Sequence, residues 1–557
     1  MRRDRPLQWF ILSLWLAFIL RGTIHSLIAP MWDGFDEPFH LAYVTFVAQH
    51  GRPPGFTEAS FPDLILTANR FLPSFLGYGA PSFSEWSSMT DDQRSRNRAE
   101  LDRLTGGELL GSGIRYTGPN YERQQGPLYY YLGAPVALLC SSCNLAELLI
   151  ALRLFSVLLA SLVVPLSAIL VLRTLGRGGL LVALPIVALA PNTLFFVDRV
   201  TNDALAWPLM AAICILLVEV TRPFSQLRHF VALGLAITAG ICTKLTLLPA
   251  LPAAIVAVWI SRRTGEPDSS SAKRAASSSG LPTSLIVWCV AVGFPVLMTV
   301  ILVSWNKLSS GTFTGLAQST AAMQSTPAQW LSAARHALTA NYFQRLTMNH
   351  LWSGGWAFVQ PSPQWYVAAA VTMAALIGVA RIARPKFPGD SRSNGAGTRS
   401  LLPLIAFGCF FVAAMLFHVL SGTVAARQVT GFPAIGAEGW YLDLLRPLEA
   451  MLVAVIVARR GNPARWLSPV LIALLVAVDG IATVSLLLPH WAGAGAGATS
   501  NNLLHQALIS APLKMSSLLL VAISVLFVLS VLVAARSGRH VPSPPLPAGE
   551  GAASSGG

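Results

Sequence analysis

The feature that most constrains this chain is the recurrence of apolar runs of membrane-crossing length. They lie near 8–29, 147–172, 179–197, 204–221, 282–304, 364–383, 401–420, 441–458, 467–488 and 512–534, and 229–260 holds two shorter runs split around Lys244. Roughly 20 apolar residues cross about 30 Å of hydrocarbon as a helix. In lipid, the backbone N–H and C=O groups of such a run must be satisfied within the run, which leaves the helix as its form. The expected fold class is therefore an all-α polytopic membrane protein of about twelve transmembrane helices. Composition agrees: 54% of the 557 residues are hydrophobic and 11% are charged, against about 25% charged in a soluble domain.

The net charge of +14 has a topological reading. With the N-terminus in the cytoplasm, the cytoplasmic connections hold Arg173 and Arg177; Arg222 and Arg228; Arg262, Arg263, Lys273 and Arg274; Arg381, Arg384 and Lys386; Arg459, Arg460 and Arg465; and Arg536 with Arg539. Each is basic, as the positive-inside rule requires. The pattern holds only if GPLYYYLGAPVALLC, 126–140, does not cross, so it is read as a re-entrant or interfacial helix. MRRDR followed by an apolar run without a small-residue cleavage site reads as a retained signal anchor. Both termini are then cytoplasmic in a bacterial inner membrane. No basic soluble module interleaved with aromatics is present, so nucleic acid is not an expected partner.

The extracytoplasmic loops are then about 30–146, 198–203, 305–363, 421–440 and 489–511. The first is the longest and is expected to carry short interfacial helices. One is 90–104, capped by Thr90. The transmembrane domain is placed at 1–540. The Ser/Ala-rich 264–280, the Gly/Ser/Arg-rich 385–399 and the tail 541–557 read as disordered cytoplasmic segments. Cys140 and Cys143 form a CSSC that would permit a disulfide in an oxidising compartment; the other four Cys fall in apolar runs.

Chemistry is expected where ionisable side chains meet the membrane boundary. WDGFDEPFH, 32–40, puts three carboxylates within five residues just beyond the first span, which is costly unless they are wet or used. Pro38 suits a first helical turn. The following residues read as a short helix ending at Gly51, with Asp36 and Glu37 at its N-terminus, where the helix dipole favours their ionised form. His40 lies one turn on. Helix capping explains the same acids equally well on the motif alone. Asp203, beside Asp198, is a second candidate and reads equally as the cap of a helix starting at Ala204. Lys244 sits between two apolar runs, where it either binds an anion or snorkels to the interface. Arg123, Arg199 and Arg427 fall in outer loops and could hold a phosphate. Trp352, Trp356, Trp365 and Trp440 near outer boundaries read first as an aromatic belt.

These motifs, in this order, resemble the C-type glycosyltransferase superfamily, which includes protein O-mannosyltransferases and lipid A aminoarabinose transferases. The resemblance rests on Asp36-Glu37 after the first span, YERQQGPLYYYL at 121–132 and ALRLFSVLLASLVVPLSAILVLRTL at 151–175. It continues through ALAPNTLFFVDRVTNDALAW at 188–207, GICTKLTLL at 240–248, HLWSGGWAFVQPSPQWY at 350–366 and EGWYLDLLRP at 438–447. It covers about 30–460. The superfamily's cation and second proline before the Leu-Tyr-Tyr are replaced by Gln124, Gln125 and Gly126. The resemblance implies a polyprenyl-phosphate sugar donor, a lipid, glycan or protein acceptor, catalytic Asp36 supported by Glu37, and substrate contacts from His40, Asp203, Lys244, Arg123, Arg199 and Arg427. A divalent metal is compatible with the acidic loop and is not required by it. Two other classes stay open: a transporter or flippase of lipid-linked sugars, which would show ionisable residues in mid-span and related halves, and a non-catalytic scaffold. Glu219 and Asp479 are the main charges read inside spans.

Overall fold

The computed structural model describes residues 5–541 apart from 35, 75–78, 112, 197, 223–224, 265–282, 316–321, 323, 338, 353, 355–358, 360, 368–370, 372–393, 431–438, 459–463, 493–503, 505–506, 509 and 514–516. The described chain is helical, with one antiparallel two-stranded sheet pairing Phe61–Pro62 with Tyr116–Gly118 among the described residues. Among the described residues, eight helices are long and apolar enough to cross a membrane: Arg5–Ile28, Leu145–Thr174, Asp203–Val220, Leu245–Arg263, Leu285–Ser310, Leu401–Ala425, Arg465–Trp491 and Leu518–His540. The protein is an all-α membrane protein.

About twelve spans are expected, and eight helices among the described residues have crossing length. Gly176–Leu189, Leu227–Ile241 and Arg446–Ala458 have 14, 15 and 13 residues, which at 1.5 Å per residue fall short of roughly 30 Å. Gly176–Leu189 is buried continuously from Gly179 and packs against Arg446–Ala458, Ala464–Ala482 and Val163–Thr174. Its apolar character serves the bundle interior, since a helix apolar all round is one that is buried all round. The expected span 364–383 lies largely outside the described residues, as do most of 264–280 and 541–557. Asn394–Thr430 is one helix of 37 residues, about 55 Å long. It therefore overruns both the linker expected over 385–399 and the loop expected from 421, because polar residues extend an apolar helix wherever its ends reach water.

Ion pairs fix which helix ends lie together. Arg173 and Arg222 both bridge Glu219, at 2.8 and 3.1 Å, which joins the C-terminal ends of Val163–Thr174 and Asp203–Val220. At the opposite end of that second helix, Lys244 meets Asp203 at 2.6 Å, and Arg153, midway along Leu145–Ser161, meets Glu37. Leu128–Leu139 has 12 residues, about 18 Å. It starts against Cys242, whose carbonyl accepts from the Leu128 N–H at 2.9 Å. Its exit is pinned to the first loop, where Gly106 N–H donates to the Cys143 carbonyl at 2.7 Å and Leu145 N–H to the Leu104 carbonyl at 2.8 Å. Too short to cross, this helix keeps the chain at one end of the bundle. Cys140 and Cys143 are free thiols.

The first loop folds as local chemistry dictates. Thr90 caps Asp91–Arg103 and Ser82 caps Phe83–Ser88, each in a reciprocal capping box. Arg98 donates through both terminal nitrogens to the Ala511 carbonyl at 2.7 Å, which ties this loop to the segment before the last helix. That last helix, Ser517–His540, packs along the first, Arg5–Ile28.

Candidate active site

Asp36 stands between the first helix and the short helix Glu37–His50. Two non-glycine residues here have left-handed backbones, Trp32 at φ 63° and Asp36 at φ 55°. Aspartate tolerates that region better than a bulky residue does. The conformation puts Asp36 in the N-cap position without a side-chain cap bond. Its carboxylate lines a cavity instead. Pro38 occupies the first turn, and Gly51 ends the helix at φ 66° with its N–H on the Val47 carbonyl.

Glu37, one residue on, is fully buried and faces away from that cavity's lining. Its two oxygens take Arg153 Nε and Nη2, each at 2.7 Å, and they also accept the N–H groups of Trp32 and Val200 at 3.2 and 3.1 Å. Arg153 spends its remaining donors on the carbonyls of Ser26, Ala29 and Pro30 at 2.8–3.0 Å. A bidentate guanidinium–carboxylate pair is among the strongest hydrogen-bonded units. Here it clamps the end of the first helix, the 198–203 loop and the middle of Leu145–Ser161 around the Asp36 turn. Glu37 is thereby a positioning residue.

The cavity has about 410 Å³ of empty space, open solvent at its mouth included. Asp36, His40 and Glu122 meet Arg199, Asp203 and Lys244 in its walls, with Gln125, Thr201, Asn202 and Tyr441. Lys244 Nζ lies 2.6 Å from Asp203 Oδ1 and 5.4 Å from the Tyr441 ring centroid. The second Asp203 oxygen accepts from Thr201 Oγ1 at 3.3 Å. Asp203 is the first residue of its helix and Asn202 is the cap, one position earlier than expected. His40 Nδ1 is 2.9 Å from Tyr130 Oη. Burial, with Lys244 and Arg199 nearby, holds His40 well below its usual range, so the ring is neutral at pH 7.

Glu122 escaped the sequence reading. It is buried, its carboxyl is hydrogen-bonded by Gln125, and burial together with the Asp36 charge pushes it up to about 8 against the opposing pull of Lys244. Its only signal was one more carboxylate, two residues before Gln124, in a polar segment. The lost proline also has a local reason. A Cβ on Gly126 would lie 2.2 Å from the Cys242 carbonyl carbon and oxygen, so the chain passes backbone to backbone beside the Lys244 turn.

A second, smaller cavity of about 260 Å³ adjoins the first, and Arg199 lines both. Asp33 and Asp198 face the smaller one. Burial and their mutual repulsion raise Asp33 to about 7, and burial raises Asp198 to about 6. Gly34 admits the Arg199 stem, since a Cβ there would sit 2.6 Å from Arg199 Cδ.

Of the residues singled out from sequence, Asp36, His40, Asp203, Lys244 and Arg199 share one cavity. Arg123 is not in its lining; it donates to the Asn120 carbonyl at 2.6 Å and stacks 5.3 Å from the Phe56 ring. Arg427 falls in the Asn394–Thr430 helix, and its side chain lies outside the described residues, as do those of Trp356 and Trp440. Trp352 is buried, with Nε1 on the Val359 carbonyl at 2.8 Å, while Trp365 is exposed. Among the described residues, no group of three or more His, Cys, Asp or Glu side chains is arranged to hold a metal ion.

No protein-family model and no curated protein matches the chain. Among solved structures, ArnT from Cupriavidus metallidurans bound to undecaprenyl phosphate is similar at 15% identity and TM-score 0.36, over 86% of this chain and 74% of that one. An oligosaccharyltransferase from Archaeoglobus fulgidus in the apo form is similar at 12% identity and TM-score 0.34, over 97% of this chain and 57% of that one. The functional reading below rests on this chain's own residues.

Proposed function

We propose that this protein is a membrane glycosyltransferase. It moves a sugar from a polyprenyl-phosphate carrier to an acceptor hydroxyl at the outer face of a bacterial inner membrane, with both termini cytoplasmic. The observation that carries the reading is the meeting of Asp36, presented at a helix start without being used as its cap, with Lys244 and Arg199 in one cavity at a single end of the bundle. A carboxylate facing cations is what a hydroxyl nucleophile and a phosphate leaving group require together. The ordered motifs of the sequence supply the donor class. The run of basic connections on the opposite side supplies the orientation.

The acceptor O–H gives its proton to the Asp36 carboxylate as its oxygen attacks the anomeric carbon. The bond from that carbon to the phosphate oxygen breaks, and the electron pair leaves with the carrier phosphate. Attack from the opposite face inverts the anomeric centre. Lys244 and Arg199 stabilise the charge that grows on the phosphate. One base suffices because phosphate needs no proton to leave, unlike the two-carboxylate chemistry of glycosidases.

Asp36→Asn keeps volume and hydrogen bonding and removes the base. Sugar transfer from a polyprenyl-phosphate donor by the purified protein should fall by about 10²–10⁴-fold while the melting temperature holds. Asp33→Asn should cost much less, because Asp33 faces the smaller cavity. Full activity in Asp36→Asn with loss in Asp33→Asn would move the base to Asp33; full activity in both would rule out either aspartate as the base, and no transfer by the parent protein would remove the enzymatic reading. For orientation, Arg177→Cys should resist an impermeant thiol reagent added to intact cells.

A further inference from the structure

The empty cavity is not a simple anion trap. Three carboxyl groups, Asp36, Glu122 and Asp203, share it with two cations, Lys244 and Arg199. Lys244, the cation at the junction of two membrane helices, is already engaged by Asp203 at 2.6 Å. A phosphate that uses the Lys244 ammonium therefore competes with a carboxylate in place. The surroundings make the exchange local. Lys244 Nζ is held from a second side by the Tyr441 ring at 5.4 Å, so it need not move when it changes partner. Asp203 has an alternative hold in Thr201 Oγ1, 3.3 Å from its other oxygen, and Thr201 itself lines the cavity. Both residues of the pair line the cavity, so the anion proposed to bind there meets the pair directly.

We propose that Asp203 is an internal competitor for the carrier phosphate: binding exchanges Lys244 from Asp203 to the phosphate, and Asp203 retakes Lys244 as the phosphate leaves. This rests on the proposed glycosyl transfer. The two carrier forms differ in charge. The sugar-linked carrier phosphate is a diester with one negative charge, and the bare carrier left after transfer is a monoester that reaches two. The bare carrier attracts Lys244 more strongly, and without a competitor it would block the next turnover. Asp203 lowers the affinity for both and so keeps the product exchangeable.

The test is binding to the full-length protein in detergent micelles, with farnesyl phosphate as probe, farnesol as the probe lacking phosphate, and inorganic phosphate as the probe lacking lipid. Asp203→Asn and Asp203→Ser remove the competing charge, and each should bind farnesyl phosphate roughly tenfold more tightly with farnesol unchanged. Asp203→Glu keeps the charge and should stay near the parent affinity, which separates competition from simple disturbance of the site. Lys244→Met should weaken farnesyl phosphate. If the neutral Asp203 variants bind it no better than the parent while Lys244→Met weakens it, the exchange is overturned and the phosphate site stands. If Lys244→Met has no effect, the phosphate reading of this cavity fails. Inorganic phosphate equalling farnesyl phosphate in affinity would assign the site to free phosphate and overturn the carrier.

Discussion

Two buried ion pairs lie at the same end of this bundle, and they are built for different work. Arg153–Glu37 is sealed: the side chains are 1% and 0% exposed, and backbone groups of residues 26–32 and of Val200 complete the hydrogen bonds of the two charges. Lys244–Asp203 borders a cavity, its side chains are 9% and 15% exposed, and among the described residues the hydrogen bond of the Lys244 ammonium goes to Asp203. Taking a charge out of water costs several kcal/mol per ion in practice, roughly, and only full hydrogen bonding repays it. The first pair meets that condition with its own protein. The second leaves ammonium donors for something that arrives. Burial of a charge thus says little about its role until its remaining bonds are accounted for.

The largest effect expected from this contrast is on folding. Arg153→Met strands the Glu37 carboxylate in a sealed site and should destabilise the protein by about 3–5 kcal/mol, read as a large fall in melting temperature in detergent. Lys244→Met leaves Asp203 beside a cavity that water can enter, and its loss should stay near about 1 kcal/mol, as for solvent-reached pairs. Equal losses would erase the distinction between the two pairs.

The seam between them gives a smaller effect. Gly126→Ala would drive a Cβ to 2.2 Å from the Cys242 backbone, and backbone cannot yield as a side chain can. Overpacking of this kind costs about 1–3 kcal/mol. The variant should melt earlier and bind farnesyl phosphate more weakly, because Cys242 leads directly into the Lys244 turn. A stable variant with unchanged binding would detach the 121–132 segment from the phosphate end of the site.

How far the sequence reached follows from the range of each interaction. The Thr90 cap, the Gly51 stop and the helix headed by Asp36-Glu37-Pro38 are decided within four or five residues, and all three were legible. The pairing of Glu37 with Arg153 spans 116 positions, and that of Arg21 with Asp479 spans 458. Both arginines sit inside runs that read as simple apolar spans, so neither partner was visible. Asp479, read as a mid-span charge that would suit a transporter, is instead held by Arg21 at 2.5 and 2.8 Å. Apolar runs and helices of crossing length differ for a related reason. Apolar length reports burial, and Gly176–Leu189 is buried by neighbouring helices. Five of the site residues were found because each broke the apolar pattern at a boundary. Glu122 was missed because it lies in a polar stretch where one more carboxylate is unremarkable.

An effect that is absent near pH 5 and grows with pH tests the open region alone, through Glu122. Its carboxyl is raised to about 8 in the fold, against about 4.3 in an unfolded chain. Between these values the unfolded chain releases a proton that the folded protein keeps. The stabilising contribution is therefore complete below the unfolded pKa and is lost as pH rises through the folded one, with a slope of at most about 1.4 kcal/mol per pH unit. Glu122→Gln has no such proton. Its melting temperature should match the parent near pH 5 and exceed it increasingly up to about pH 8, the upper end of the shift. Asp36→Asn removes one of the charges that raises Glu122 and should narrow the window from above. Arg153→Met, in the sealed region, should lower the melting temperature without moving that window. A parent protein whose stability relative to Glu122→Gln is flat from pH 5 to pH 8 would mean that Glu122 is already ionised in the fold. The cavity would then hold three negative charges against two positive ones, and an anionic carrier would have to overcome all three.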